Sequence, residues 1–117
     1  MKSRINVPEY DVSEFNKLIK EVVDSNFNFV RIKGEISSIR PNKNNHLFIT
    51  LKDENSVLEC VIWNSKINYM DINPEEGLEV IATGKISTWS KYRTTYQLEI
   101  DKIEIAGEGA LLKLIEE

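Results

Sequence analysis

A chain of 117 residues with 41% hydrophobic and 29% charged side chains predicts one soluble domain with a single core. Its formal charge of −4 excludes a surface that is basic throughout, no apolar run is long enough to span a bilayer, and no secretory h-region opens the chain. The lone cysteine, Cys60, excludes an internal disulfide, and its apolar strand position predicts a buried thiol in a reducing, cytoplasmic setting.

The net charge hides a segregation. Residues 31–52 carry Arg31, Lys33, Arg40, Lys43 and Lys52 against Glu35 alone. Residues 85–93 carry Lys85, Lys91 and Arg93 with no acid, while the acids gather in 53–79 and 99–117. Clustering of this kind says more about a polyanionic partner than the average does.

Residues 1–10 show no periodicity, and Pro8 favours extended chain. Asp11 or Ser13 offers a helix N-cap, with Glu14 in the first turn. Phe15, Leu18, Ile19, Val22 and Val23 recur at helical spacing, so 13–25 reads as an amphipathic helix covering one end of a core. A long strand at 29–40 follows, with Val30, Ile32, Gly34 and Ile36 on one face. Gly34 inside it, and Ile39 out of phase with Ile36, predict a bulge or sharp coiling. Residues 41–45 are a loop of turn formers.

The most regular stretch comes next. Leu47, Ile49 and Leu51 alternate with His46, Phe48, Thr50 and Lys52 before Asp53-Glu54-Asn55 breaks the run. Leu58, Cys60 and Ile62 then alternate with Val57, Glu59 and Val61, so 46–53 and 56–63 form a ribbon with one apolar face. Residues 64–71 are a weak helix or irregular connection, and 73–77 a turn. Strand 78–89 holds Val80, Ala82, Gly84 and Ile86 in phase, and loop 90–94 holds Lys91, Tyr92 and Arg93. In strand 95–105, Tyr96, Leu98 and Ile100 are in phase before Ile103 and Ile105 change parity, a second bulge. Residues 110–117 start a helix that stops before completing an apolar face, as expected of a fragment of a longer chain.

Five strands with mid-strand glycines, and a helical insertion between the third and fourth, match the order of an all-β, five-stranded OB-fold barrel. The chain then divides into an N-terminal extension and helix (1–26), an OB-fold nucleic-acid-binding domain (27–106) and the start of a linker helix to an absent catalytic region (107–117). In this fold nucleic acid lies across strands two and three, flanked by the loops joining strands one to two and four to five. Here those loops are 40–45 and 90–94, where basic residues collect.

Five blocks carry a resemblance: VSEFNKLIKEVVDSNF (12–27), IKGEIS (32–37), HLFITLKDEN (46–55), PEEGLEVIATGKIS (74–87) and YQLEIDKIEIAGEGALLKLIEE (96–117). In this order they resemble the N-terminal domain of exodeoxyribonuclease VII large subunits. The resemblance implies an OB fold that holds single-stranded DNA for a nuclease further along the polypeptide, which degrades it to acid-soluble oligonucleotides. It also implies a small-subunit partner bound through the absent region. Three positions depart from the pattern: Asn45 stands where glycine often precedes the histidine, Phe48 where tyrosine is common, and Asn64 where arginine commonly follows the aromatic.

Candidate contacts follow from residue type and place. Phe48, on the non-core parity, can stack on a base or pack under a neighbouring element. His46 can stack or meet a phosphate; alone, it is a poor metal ligand. Arg31, Lys33, Arg40, Lys43 and Lys52, with Lys91 and Arg93, can each neutralise a phosphate, and Tyr92 lies between the last two. Trp63 and Trp89 suit core or rim packing, and Glu59, sharing Phe48's parity, would repel phosphate. No paired carboxylate motif, nucleophile–histidine–acid set or Gly-rich phosphate loop is present, so the fragment is expected to be neither an enzyme nor dependent on a cofactor. The function read here is single-stranded DNA binding without strong sequence preference. The rivals are an anticodon-type OB domain preferring RNA and a protein-interaction module without nucleic-acid affinity.

Overall fold

A computed structural model describes residues 6–107. Helix α1 (Val12–Asn26) precedes strands β1 (Val30–Pro41), β2 (Leu47–Lys52) and β3 (Val57–Ile62), the single turn α2 (Asn64–Ile67), and strands β4 (Glu79–Trp89) and β5 (Thr95–Ile105). The strands close into a barrel in the order β1-β2-β3-β5-β4. Alternation therefore locates every strand to within a residue at each end. Closure rests on a short parallel contact, Cys60 with Leu98 and Val61 with Glu99, while the other pairings are antiparallel.

Both predicted parity breaks are register shifts. Ile36 faces Leu51 but Ser38 faces Thr50, so Ser37 is the extra residue and Ile36 and Ile39 both turn inward. The Ser37 hydroxyl donates to the Thr50 carbonyl at 3.2 Å. On the other side, Thr83 faces Lys102 and Gly84 faces Ile100, leaving Asp101 out of the ladder and Ile100 and Ile103 in the core. Gly84 sits at this bulge, where an added Cβ would collide with the Glu99 carbonyl oxygen. Glycine is there because the strands approach too closely for a side chain.

The core holds Ile36, Ile49, Leu51, Ile62, Val80, Leu98 and their neighbours, and Ile67, Met70 and Ile72 of the β3–β4 connection pack against it. Cys60 is 1% exposed, and burial pushes its thiol pKa up to about 12.

Elsewhere the fold departs from expectation. Helix α1 forms, with the Asp11 N–H donating to the Glu14 carboxylate at 2.8 Å, but none of its residues is buried. It flanks β4 without sealing the barrel, although Phe27 just beyond it accepts a hydrogen bond from Ile86 N–H at 2.9 Å. A groove of about 830 Å³ remains between α1 and the β4–β5 hairpin, lined by Ile19, Phe27, Ile86, Trp89 and Tyr96 among others. Tyr96, in phase with Leu98, is 60% exposed because the hairpin outruns the closed barrel and its inner side meets this groove. Phe29 precedes β1 and is exposed. The expected helix at 110–117 lies outside the described residues.

Candidate nucleic-acid interface

The outer side of the barrel is built in cross-strand rows. Phe48 on β2 faces Arg40 on β1 and Val61 on β3; Val61 faces Glu99 on β5, and Glu99 faces Lys85 on β4. Phe48 is half-buried, and Val61 beside it is fully buried although its parity is that of the outer face. A fully buried valine on the outer parity gives this sheet surface an apolar floor of its own. Trp63 adds a wall: its Nε1 donates to Glu99 at 3.0 Å, and the His46 ring meets it edge-on, centroids 4.9 Å apart. His46 is thereby tied down, since its Nδ1 accepts from Asn64 N–H at 2.9 Å and only Nε2 is left for a ligand.

The loop between β1 and β2 is organised by one side chain. The Asn42 carboxamide oxygen accepts from Asn44 N–H at 2.9 Å and His46 N–H at 3.0 Å, a turn that holds exposed Lys43 at the tip. Asn45 follows with φ +65°, the left-handed region. Asparagine tolerates that conformation, as the glycine expected here from the resemblance also would. In the β4–β5 loop, Tyr92 is 90% exposed and Lys91 Nζ lies 5.4 Å from its ring centroid. Among the described residues Lys43, Lys91 and Arg93 have no acidic partner within ion-pair distance.

The other expected cations sit differently. Arg40 lies on the Phe48 face but donates to Glu59 and Thr50, both at 3.3 Å. Glu59 also accepts from Thr50 Oγ1 at 2.8 Å, so the acid expected to repel phosphate is held by an arginine. Arg31 pairs with Glu104 at 3.0 Å, Lys33 with Glu79 at 3.9 Å and Lys52 with Glu35 at 4.0 Å. Lys33 and Lys52 line a cleft of about 850 Å³ with Glu35, Asp53, Glu54 and Glu79, where acids outnumber bases. The structure therefore gathers Arg40, His46 and Phe48 beside Lys43, and leaves Arg31, Lys33 and Lys52 in ion pairs on β1 and the end of β2. Trp63, Val61, Gln97 and Glu99 were not among the candidates. The parity that selected Phe48 also selects Trp63 and Val61, whereas Glu99 and Gln97 join this face only through the β3–β5 closure. No group of three metal-ligating side chains gathers among the described residues. No helix there is long and apolar enough to cross a membrane.

The profile of the family described as "OB-fold nucleic acid binding domain" matches residues 10–104. The chain belongs to that family. This OB-fold domain is 42% identical over 112 residues to the "Exodeoxyribonuclease 7 large subunit" of Rhodospirillum centenum, covering 96% of this chain and 21% of the relative. It is 45% identical over 113 residues to the protein of that name from Brucella canis, covering 96% and 22%. The resemblance read from the blocks thus holds over nearly the whole chain, which spans about a fifth of the length of these relatives. Among solved structures, the mitochondrial single-stranded DNA binding protein Rim1 of S. cerevisiae superposes with TM-score 0.53 at 19% identity, covering 69% of this chain and 97% of that one. Aspartyl tRNA synthetase from Entamoeba histolytica does so with TM-score 0.55 at 15% identity, covering 74% and 20%. At these identities the likeness is one of fold.

Proposed function

We propose that this OB-fold domain holds single-stranded DNA as part of a cytoplasmic exodeoxyribonuclease VII large subunit. In this reading hydrolysis belongs to the remainder of a longer polypeptide, and a small subunit engages that remainder. The observation that carries it is the half-buried ring of Phe48, set beside Val61 and Trp63 on a face flanked by two loops whose cations have no acidic partner among the described residues. Lys43, Lys91 and Arg93 neutralise phosphates, releasing counterions, while Phe48 and Tyr92 offer rings on which bases stack. Both kinds of contact are largely blind to base identity.

Titration of a fluorescent single strand of about 15 nucleotides, within the span of one or a few OB sites, tests this with DNA and RNA at two salt concentrations. The expected result is preferential DNA binding that weakens with salt, each phosphate contact adding about 0.7 to the log–log slope. Tighter binding of RNA would favour an anticodon-type domain. Absence of oligonucleotide binding at low salt would overturn the reading in favour of a protein-docking role.

A further inference from the structure

Gln97 on β5 and Ser87 on β4 face each other, one step along the hairpin from the Glu99–Lys85 pair's row on the same side of the sheet. Gln97 is 2% exposed, yet among the described residues its Nε2 has no hydrogen-bond partner, and neither has the buried Ser87 hydroxyl. Buried polar atoms are nearly always paired, and an orphan lowers stability. Two orphans at facing positions, on the same outer side of the sheet as Phe48, mark a place where a ligand would supply the missing partners.

We propose that Gln97 and Ser87 are where this face reads the identity of a base. The inference rests on the single-strand reading above. Glu99 lies two strand spacings from Phe48, and Gln97 lies one same-face step further along β5, about 12 Å from Phe48, so a strand with one base on Phe48 brings a neighbouring base over the β3–β5–β4 surface. A carboxamide and a hydroxyl together offer donors and acceptors, the complement of a base edge, as bidentate pairing of glutamine with adenine illustrates. A phosphate is disfavoured at this point by the Glu99 carboxylate beside it. Of the charged side chains near the pair, Glu59 and Lys85 are more than half exposed; Lys85 is held by a surface ion pair, and Glu59 by one to Arg40 and a hydrogen bond from Thr50, contacts a ligand would have to displace. The contacts of Phe48 and the loop cations provide affinity, and this pair adds a modest preference.

Homopolymers of dA, dC and dT of about 15 nucleotides test it, titrated against the 117-residue chain and its Gln97→Leu and Ser87→Ala variants. The parent is expected to bind the best of the three at least about fivefold more tightly than the worst, and Gln97→Leu to bring them within about twofold. Gln97→Leu should also melt at or above the parent temperature, because an apolar side chain of similar size removes an unpaired amide. Ser87→Ala should shift the ratio the same way, to a smaller extent. Equal affinities in the parent, a ratio kept in Gln97→Leu, or a Gln97→Leu melting point below the parent's would each overturn the inference. If the parent binds DNA, those results leave the single-strand reading standing. If it binds none of the three, both fall.

Discussion

Arg40 reaches across β2 to Glu59, its guanidinium 3.3 Å from the carboxylate, so one cation of the Phe48 face is occupied before any ligand arrives. Both side chains are more than half exposed, which makes the pair weak and its partner exchangeable. Glu59→Gln should release Arg40 toward a phosphate. DNA affinity should rise and the log–log salt slope steepen by about 0.7. Titrations at several salt concentrations decide; an unchanged slope would mean that Arg40 never reaches the strand.

The β4–β5 loop makes the converse prediction. Lys91→Ala with Arg93→Ala removes two cations that have no acidic partner among the described residues. Binding should weaken and the slope flatten by about 1.4, two contacts at about 0.7 each. A double variant with the parent's slope would take the loop out of the interface.

Phe48→Ala separates stacking from charge. Affinity should fall by about 1–3 kcal/mol with the salt slope unchanged, since stacking releases no counterions. Because the ring is only half-buried, the loss of folding stability should stay below the roughly 3–5 kcal/mol of a fully buried phenylalanine. Thermal melts alongside the titrations would reveal a structural role if stability fell by that full amount.

Gly84→Ala places a methyl group against the Glu99 carbonyl oxygen, backbone that cannot swing aside as a side chain can. Destabilisation of about 1–3 kcal/mol is expected from such overpacking. Chemical denaturation measures it, and a neutral variant would show that the bulge at Asp101 can relax.

Cys60 links stability to alkaline pH. Burial raises its pKa from 9.0 to about 12, so the folded state keeps a proton that the unfolded chain loses above pH 9. Its contribution is fully present below pH 9 and is lost as pH rises from there toward 12. Over that range the melting temperature of the parent should fall more than that of Cys60→Ala, measured at matched pH values. In the folded protein near neutral pH, the thiol should resist thiol-specific reagents until it is unfolded.

Local chemistry alone determined the five strands, the two parity breaks and the two basic loops. Period-two alternation and turn residues act over a few neighbours, and a one-residue bulge must change the phase of everything after it, so Ile39 and Ile103 announced Ser37 and Asp101 in advance. What lies on the same face from distant strands was decided by the tertiary structure. Arg31 meets Glu104 across 73 residues, Glu99 joins Phe48's row through the β3–β5 contact, and Gln97 is buried at a position whose parity says it faces out. Register between non-consecutive strands depends on barrel closure, which no local pattern encodes. The helix shows the same limit: its apolar stripe required a neighbour, but only packing decided that α1 would lie beside β4 with its face still largely exposed.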